Sequence, residues 1–126
     1  MTREGIRGAR AIESLGWYMF ATECKTKQGG TMIIMRKHIA LTQLLGRREP
    51  YKKKGWMAIP IRIGHSTVLI VVAYMEASKG FRGPNMNTLQ EVLELRRITR
   101  LPMIIAADWN NTPQELQDLE WLEKMQ

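Results

Sequence analysis

Residues 102–116 read PMIIAADWNNTPQEL, and this stretch gives the clearest indication of the fold. Residues 102–107 form a short apolar run of the kind that becomes a buried β-strand. A helix start signal follows the polar turn: Thr112 is suited to the N-cap, Pro113 to the first turn, and Glu115 to a capping box. The stretch therefore predicts a buried strand, a polar turn and a final helix whose apolar stripe is Leu116, Leu119 and Leu122.

A helix and a hairpin are predicted near the start of the chain. Residues 10–15 are compatible with a short helix that ends at Gly16. Residues 17–22 and 31–36 are apolar and strand-like, and the polar segment 25–30 between them ends in two glycines. This pattern predicts an antiparallel strand pair with a long connection.

A second hairpin and a helix are predicted further along. Residues 56–63 and 66–74 flank a short turn at Gly64 and His65. Within the first of these strands, Pro60 requires an edge or bulge position because it has no N–H to donate. Residues 87–99 then have helical periodicity, with an apolar face formed by Leu89, Val92, Leu93 and Leu95.

The remaining segments are predicted to be connections. Residues 38–45 fit either one or two helical turns or an irregular loop, 47–54 a cationic connection, and 76–84 a flexible loop. The element order is thus helix, two strand pairs, helix, strand, helix. It predicts one α/β domain over residues 1–126, with a mixed sheet covered by helices.

Composition excludes several classes of protein. No apolar run approaches the roughly 20 residues of a membrane-spanning helix, and residues 1–20 lack the apolar core of a signal peptide. The single cysteine, Cys24, cannot form an internal disulfide, and no Cys/His spacing suggests a zinc site. We therefore expect an intracellular protein, nuclear or cytoplasmic, with no membrane partner.

Positive charge is concentrated in the first half of the chain. Residues 1–56 contain twelve Lys/Arg and four Asp/Glu, a net of +8, and residues 57–126 contain seven and eight, a net of −1, which sum to +7. A basic half beside a neutral one suits a polyanion such as DNA or RNA; plain solubility is the alternative. The cations we single out as candidate nucleic-acid contacts are Arg47, Arg48, Lys52, Lys53, Lys54, Lys79 and Arg82.

Aromatic side chains accompany these cations. Tyr51 and Trp56 flank the cluster at 47–54 and would be available for base stacking, and Tyr74 ends a strand just before the loop with Lys79 and Arg82. One alternative is that both segments are solvated loops that bind nothing, and another is that the cluster at 47–54 is a nuclear-import signal.

Asp108 and Asn110 are the candidates for chemistry. They follow an apolar strand, and ligands of open α/β sheets bind at the carboxyl ends of strands. Asp108 suits orienting or deprotonating a water or holding a divalent cation, and Asn110 suits donation to a phosphate oxygen. The alternative is that both side chains only shape the turn before the next helix.

Four segments together resemble the endonuclease/exonuclease/phosphatase superfamily, which has the DNase I-like fold. They are GGTMIIMR (29–36), VLIVVAYM (68–75), LQEVLEL (89–95) and PMIIAADWNNTPQEL (102–116), and the resemblance covers roughly residues 15–120. It implies part of a layered α/β sandwich in which two sheets pack face to face. Ala107 stands where this superfamily usually has Gly, and Trp109 where it has Phe or Leu.

The resemblance also implies an activity. By position, Asp108 resembles the catalytic Asp, Asn110 the Asn that binds the scissile phosphate and supports the metal, and Tyr74 the active-site Tyr. Mg²⁺-dependent hydrolysis of a nucleic-acid phosphodiester is therefore implied, with Asp108 and Asn110 at the metal. A lipid or inositol phosphoesterase would use the same motif.

Two motifs of the superfamily are not evident: the Gln-Glu that supplies the metal-binding Glu, and the Ser-Asp-His. Glu23, His38 and His65 are poor substitutes for them. We therefore expect an incomplete domain that is poorly active or inactive alone, and a basic nucleic-acid-binding module without catalysis is the alternative. We also expect an exposed sheet face to be covered by self-association or by a missing domain half.

Overall fold

The structure is a computed structural model that describes residues 3–22, 30–39, 41–42, 46 and 49–126. Glu23, Cys24, Arg47, Arg48 and most of the predicted turn at 25–30 lie outside the described residues. The elements, in chain order, are α1 (Arg3–Ser14), β1 (Trp17–Ala21), β2 (Met32–Arg36), β3 (Tyr51–Lys53), β4 (Trp56–Ile63), β5 (Ser66–Tyr74), α2 (Pro84–Thr99), β6 (Met103–Asp108), α3 (Pro113–Asp118) and α4 (Trp121–Lys124).

The strands form two sheets. The first is the antiparallel pair β1–β2, and the second has four strands in the order β3-β4-β5-β6. Neighbouring strands of the second sheet are antiparallel except β5 and β6, which are parallel. Parallel neighbours need a crossover connection, and α2 supplies it. The predicted α/β class with a mixed sheet is confirmed.

Strands β4 and β5 pack against apolar side chains on both faces. On one face, Leu69 and Val71 of β5 pack in a cluster with Leu89 and Val92 of α2 and with Trp121. On the other face, the buried residues of β4 and β2 form a second cluster, consisting of Met57, Ile59, Ile33 and Met35. Because side chains alternate along a strand, consecutive residues of β4 and β5 serve the two layers in turn.

Pro60 lies beyond the part of β4 that pairs with β3, where an antiparallel bridge between Leu41 and Ile61 flanks the strand, so its position is not the free edge that the sequence predicts. It pairs with Leu69 in an unbroken antiparallel register between β4 and β5, so there is no bulge. Its carbonyl accepts a hydrogen bond from the Thr42 N–H at 3.2 Å, on the side of β4 away from β5. Since N–H and C=O of one strand residue point to the same side, the missing N–H of Pro60 costs no bond to β5.

The prediction that residues 47–54 are only a connection is wrong for residues 51–53, which form β3. Tyr51 pairs with Ala58 and Lys53 with Trp56, and the ring centroids of Tyr51 and Trp56 lie 5.5 Å apart. Gly55 has φ 83°, a conformation that glycine adopts without strain, and it closes the tight turn between β3 and β4. The turn and the aromatic contact together hold a strand that has no apolar pattern of its own.

Both long helices begin earlier than predicted. α1 starts at Arg3 instead of residue 10, and α2 starts at Pro84 instead of residue 87, with the proline at its first turn. All four apolar positions predicted for α2 are buried: Leu89, Val92, Leu93 and Leu95. Among the described residues, none of the helices is long and apolar enough to cross a membrane.

The predicted final helix is two short ones, and its apolar stripe is partly wrong. The N-cap of α3 has the predicted capping box between Thr112 and Glu115. Glu120 then takes a left-handed conformation, with φ 53°, which ends α3 and rotates the chain before α4. As a result Trp121 is buried at 5% exposure and donates from Nε1 to the Leu89 carbonyl at 2.9 Å, whereas Leu122 is 48% exposed.

β6 is an edge strand whose outer face is open. It pairs only with β5 in the described part of the chain, and Ile104, on the face away from α2, is 55% exposed. An apolar edge strand is a template for pairing with another chain. The expected self-association therefore remains a prediction, now located at β6.

We predict that Trp121→Ala lowers the free energy of unfolding by about 3–5 kcal/mol, because it removes a buried indole together with its hydrogen bond to the Leu89 carbonyl. The neighbouring change Leu122→Ala is the matched control and should cost less than about 0.5 kcal/mol. Urea denaturation followed by circular dichroism measures both. Equal losses for the two variants would contradict this packing.

We also predict that the chain associates through β6 and that Ile104→Lys shifts it toward monomer, since a charge on an edge strand opposes pairing. Sedimentation velocity across a concentration series measures the change. The exposed residue Ile63 lies at the end of β4, so Ile63→Lys is the control and should leave the association unchanged. A wild-type protein that stays monomeric throughout the series would show the prediction to be wrong.

Candidate active site at the sheet edge

Parallel pairing of β5 and β6 brings Tyr74 and Asp108 together. The two are the last residues of their strands and are partners in the register. Partners on adjacent strands have side chains on the same face, with strands about 4.8 Å apart. Tyr74 is half-buried and Asp108 is exposed, so a phenol and a carboxylate meet solvent at one point of the carboxyl edge.

The chain just beyond Tyr74 is fastened by four hydrogen bonds. The Met75 N–H donates to the Asp108 carbonyl at 3.1 Å, and the Met75 carbonyl accepts from Asn110 Nδ2 at 2.8 Å. The Glu76 N–H donates to Asn85 Oδ1 at 2.7 Å, and the Glu76 carbonyl accepts from Asn85 Nδ2 at 3.0 Å. Every main-chain polar group of residues 75 and 76 thus has a partner, which fixes the position of this strand end.

Asn110 has a structural contact of its own. It takes a left-handed conformation, with φ 49°, that asparagine tolerates better than most residues. One of its two amide protons is used on Met75, so β6 is joined to the exit of β5 by a side chain as well as by the sheet. Donation to a phosphate, the role expected of Asn110, has one amide proton left for it.

The alternative that Asp108 only shapes the turn or caps the helix does not describe its contacts. Thr112 performs the capping: its hydroxyl accepts from the Glu115 N–H, while the Thr112 N–H donates to Glu115 Oε2 at 2.7 Å. Within the described part of the chain, the Asp108 carboxylate makes no hydrogen bond or ion pair. It is therefore available to a ligand.

Predicted cations on two loops lie at or near this edge. The Tyr74 N–H donates to the Gly55 carbonyl at 2.8 Å, which places the β3–β4 turn and its lysines beside the strand end. Lys79 and Arg82 are on the loop that leaves the same strand. The five predicted cations that the structure describes are all exposed: Lys52, Lys53, Lys54, Lys79 and Arg82.

These cations form no salt bridge among the described residues. The salt bridge found there joins Arg97 and Glu94 of α2, at 3.9 Å. Lys53 lies over the Tyr51 ring, 5.9 Å from its centroid. Lys52 pairs with Met57, and Met57 pairs with Val72, so the three side chains share one face of the sheet. Tyr74 is two residues beyond Val72 on β5 and therefore projects on that face as well. Within the described residues, these cations are therefore not neutralised by ion pairs.

Trp56 is not available for base stacking, contrary to the sequence-based expectation. Its ring is fully buried, and its Nε1 donates to Glu91 Oε2 at 2.7 Å. Tyr51 is half-buried against it. The periodicity of a strand that is buried on both faces does not distinguish an exposed aromatic from a core one.

Neither histidine lies on the strand ends that carry Tyr74 and Asp108. His38 is in the turn after β2, and His65 is in the β4–β5 turn at the opposite end of β5, nine residues or roughly 30 Å from Tyr74 at 3.3 Å per residue. Across the residues that the structure describes, no group of three or more His, Cys, Asp or Glu side chains is arranged to hold a metal.

A groove of about 650 Å³ lies elsewhere, between α2 and the C-terminal helices. Its lining mixes acidic, basic and apolar side chains, among them Glu91, Arg97 and Trp121. None of its lining residues belongs to the sheet edge described above, so we assign the candidate site to the edge and not to this groove.

Asn85 and Gly55 are parts of the site that sequence reasoning missed. Asn85 lies in α2 and hydrogen-bonds to the main chain of Glu76, in the loop before the helix. Gly55 lies in the cationic segment and accepts from the N–H of Tyr74, 19 residues later in the chain. The only local signal was glycine itself at position 55, which allows positive φ.

Comparisons with known proteins identify the fold. No family model and no curated protein sequence matches the chain. The structure is similar to the human Nocturnin catalytic domain with bound sulfate (TM-score 0.62, 13% identity, 90% of this chain and 50% of that one). It is also similar to the endonuclease domain of TRAS1, a telomere-specific non-LTR retrotransposon (TM-score 0.57, 16% identity, 87% and 52%).

Both of these are DNase I-like domains, so the predicted DNase I-like fold is confirmed. At 13% and 16% identity the likeness concerns the fold alone. The chain spans about half the length of the two solved chains that it matches.

We predict that Asn110→Ala lowers the free energy of unfolding by about 1–3 kcal/mol, because it leaves the Met75 carbonyl unpaired and forces alanine into a left-handed conformation. Asn110→Gly loses the same bond but tolerates the conformation, so it should cost about 1 kcal/mol less. Thermal and urea denaturation compare the two. A larger loss for the glycine variant would contradict the role of the left-handed turn.

Proposed function

We propose that this chain is a DNase I-like domain that binds the phosphate backbone of a nucleic acid at the carboxyl edge of β5 and β6 and hydrolyses a phosphodiester there. The observation that carries the proposal is the in-register pairing of Tyr74 with Asp108 beside unpaired cations. One of the two similar solved structures, that of TRAS1, is an endonuclease domain, which supports the choice of reaction.

A nucleic acid is favoured over a small phosphate ester by the width of the charged edge. Its cations run from the β3–β4 turn to the loop after β5 and so extend across β3, β4 and β5, roughly 10 Å at 4.8 Å per step. A single phosphate group would occupy only a small part of that width. A polyanion would meet Lys54 and Arg82 at once, and each neutralised phosphate would release counterions.

Tyr74 and Asp108 have separate tasks in this proposal. The Tyr74 hydroxyl donates to a non-bridging phosphate oxygen, which holds the phosphodiester over the edge. Asp108 accepts a hydrogen bond from the attacking water, orients it toward phosphorus and takes its proton as the new P–O bond forms. The opposite P–O bond breaks, and the leaving oxygen takes a proton from solvent. Their positions on neighbouring strands suit this division, because the sheet fixes the spacing of the two side chains.

Mg²⁺ is the cofactor that we propose, and Asp108 and Asn110 are the residues that would hold it. Carboxylate and amide oxygens are suitable ligands, and Mg²⁺ usually keeps waters and substrate phosphates in its remaining positions, so few protein ligands are required. When bound, the ion offsets the negative charge that builds up on the phosphoryl oxygens. The Nδ2 contact of Asn110 with Met75 leaves its Oδ1 for this purpose.

A nucleic-acid-binding module without catalysis is the second candidate. The observation that favours it is that the described residues contain no cluster of three metal-ligating side chains and no histidine at the edge. This candidate uses the same cations and the same Tyr74, but it expects binding with no turnover.

We predict that the protein cleaves fluorescein-labelled DNA or RNA, single-stranded or duplex, in a Mg²⁺-dependent reaction. The cleavage rate should fall about 100-fold or more in Asp108→Asn, because this change removes the carboxylate while keeping the shape of the side chain. Tyr74→Phe should fall by about tenfold, the value of one hydrogen bond to a charged group. Product formation is followed on denaturing gels with Mg²⁺ or with EDTA. His65→Ala, at the far end of β5, is the control and should cleave normally.

The same samples separate the two candidates. Salt-sensitive binding with no Mg²⁺-dependent product would select the non-catalytic module, and hydrolysis of an inositol phosphate but of no nucleic acid would select a phosphoesterase of small substrates. If the wild-type protein neither binds nor cleaves any of these substrates, the proposal is wrong.

A further inference from the structure

The loop at residues 76–83 begins two residues after Tyr74 and carries Lys79 and Arg82. Its backbone includes three residues with positive φ, namely Ser78, Gly80 and Gly83, at values between 49° and 63°. Glycines and a strained serine do not select one conformation by themselves, since glycine gains the most freedom when released. The direction in which these two cations point therefore depends on what holds the loop.

Asn85 holds it. The side chain lies in the first turn of α2, is 1% exposed, and makes three hydrogen bonds to the main chain of the loop. Oδ1 accepts from the Glu76 N–H at 2.7 Å, and Nδ2 donates to the Glu76 carbonyl at 3.0 Å and to the Gly80 carbonyl at 2.7 Å. One amide thus joins the start and the middle of the loop to the helix.

These contacts require an amide. Asn85 bonds both the N–H and the carbonyl of the Glu76 main chain, which requires one acceptor and one donor on its side chain. The bond to the Gly80 carbonyl requires a second donor. An aspartate keeps the acceptor and lacks both donors, so two buried carbonyls would face a carboxylate. The burial of the site makes this loss costly.

We propose that Asn85 is a positioning residue for nucleic-acid binding: its amide fixes the 76–83 loop so that Lys79 and Arg82 stand beside Tyr74 and engage the backbone. The inference rests on the proposed function for the nature of the ligand. A loop that is already in its binding conformation loses less entropy on association, so the fixed loop raises affinity without a contact from Asn85 itself.

The test compares Asn85→Asp with Asn87→Asp. Both add one negative charge to the first two turns of α2, but Asn87 is exposed. Affinity for a fluorescein-labelled single-stranded DNA 20-mer is measured by anisotropy over a range of salt concentrations. We expect Asn85→Asp to bind about tenfold more weakly, with a salt slope smaller by about 1.4, because two phosphate contacts are lost at about 0.7 each. Asn87→Asp should keep the wild-type slope.

A double-mutant cycle shows whether Asn85 acts through the loop cations. Lys79→Ala with Arg82→Ala should weaken binding about tenfold in the wild type and in Asn87→Asp, but should add little to Asn85→Asp. Additive effects in the Asn85→Asp background would overturn the proposal. A residue that only stabilised the fold would change the melting temperature and leave the salt slope of the folded protein unchanged.

Hydrogen exchange on the wild-type protein decides the case if Asn85→Asp does not fold. The Glu76 amide should exchange as slowly as the amides of β5, whereas the Ala77 amide should exchange fast; a fast Glu76 amide would overturn the proposal. Failure of the wild type to bind DNA or RNA is a different result. It would remove the proposed function and the binding role of the loop, while slow exchange at Glu76 would still show that Asn85 fastens it.

Discussion

The parallel pairing of β5 with β6 is the constraint that shapes everything else in the molecule. Because both strands run in the same direction, the chain must cross back between them, and α2 makes that crossing over one face of the sheet. The crossing buries Leu89 and Val92 against β5. It also makes both strands end at one edge, which is why Tyr74 and Asp108 are neighbours although 34 positions separate them in the numbering.

Amide side chains supply many of the contacts that hold this edge. Asn85 and Asn110 bind the main chain on the two sides of residues 75 and 76, and Asn111 donates to the Trp109 carbonyl at 2.7 Å. Buried peptide groups that leave a sheet need partners, and asparagine supplies a donor and an acceptor at short reach. Asparagine in such a position therefore fixes the conformation of the main chain. Asn110 would have to bind a ligand with the polar atoms that this structural contact leaves over.

The elements predicted from sequence are those whose signal is local. The apolar runs of β5 and β6, the periodicity of α2 and the capping box at Thr112 each lie within about ten residues, and the structure has them all. The elements missed depend on distant contacts. β3 exists because Tyr51 packs on Trp56 across a tight turn, and Trp121 replaces Leu122 in the core because one left-handed residue rotates the chain.

The candidate site divides in the same way. Asp108, Asn110 and Tyr74 follow from strand ends and from a resemblance, whereas the part played by Asn85 follows only from three-dimensional contacts with residues five and nine positions away. Five of the seven predicted cations lie within the described residues, and their common edge depends on the β3–β4 turn reaching Tyr74, which no spacing in the sequence reveals.

Trp109 stands between Asp108 and Asn110, and its ring meets that of Trp121 edge to face, with centroids 6.3 Å apart. Its ring packs against the apolar cluster on the α2 face of the sheet, whereas Asp108 projects on the opposite face. Through Trp121 the Trp109 ring is also in mechanical contact with the last helix. The turn that carries the two candidate ligands is therefore anchored to the C-terminal segment through two indoles.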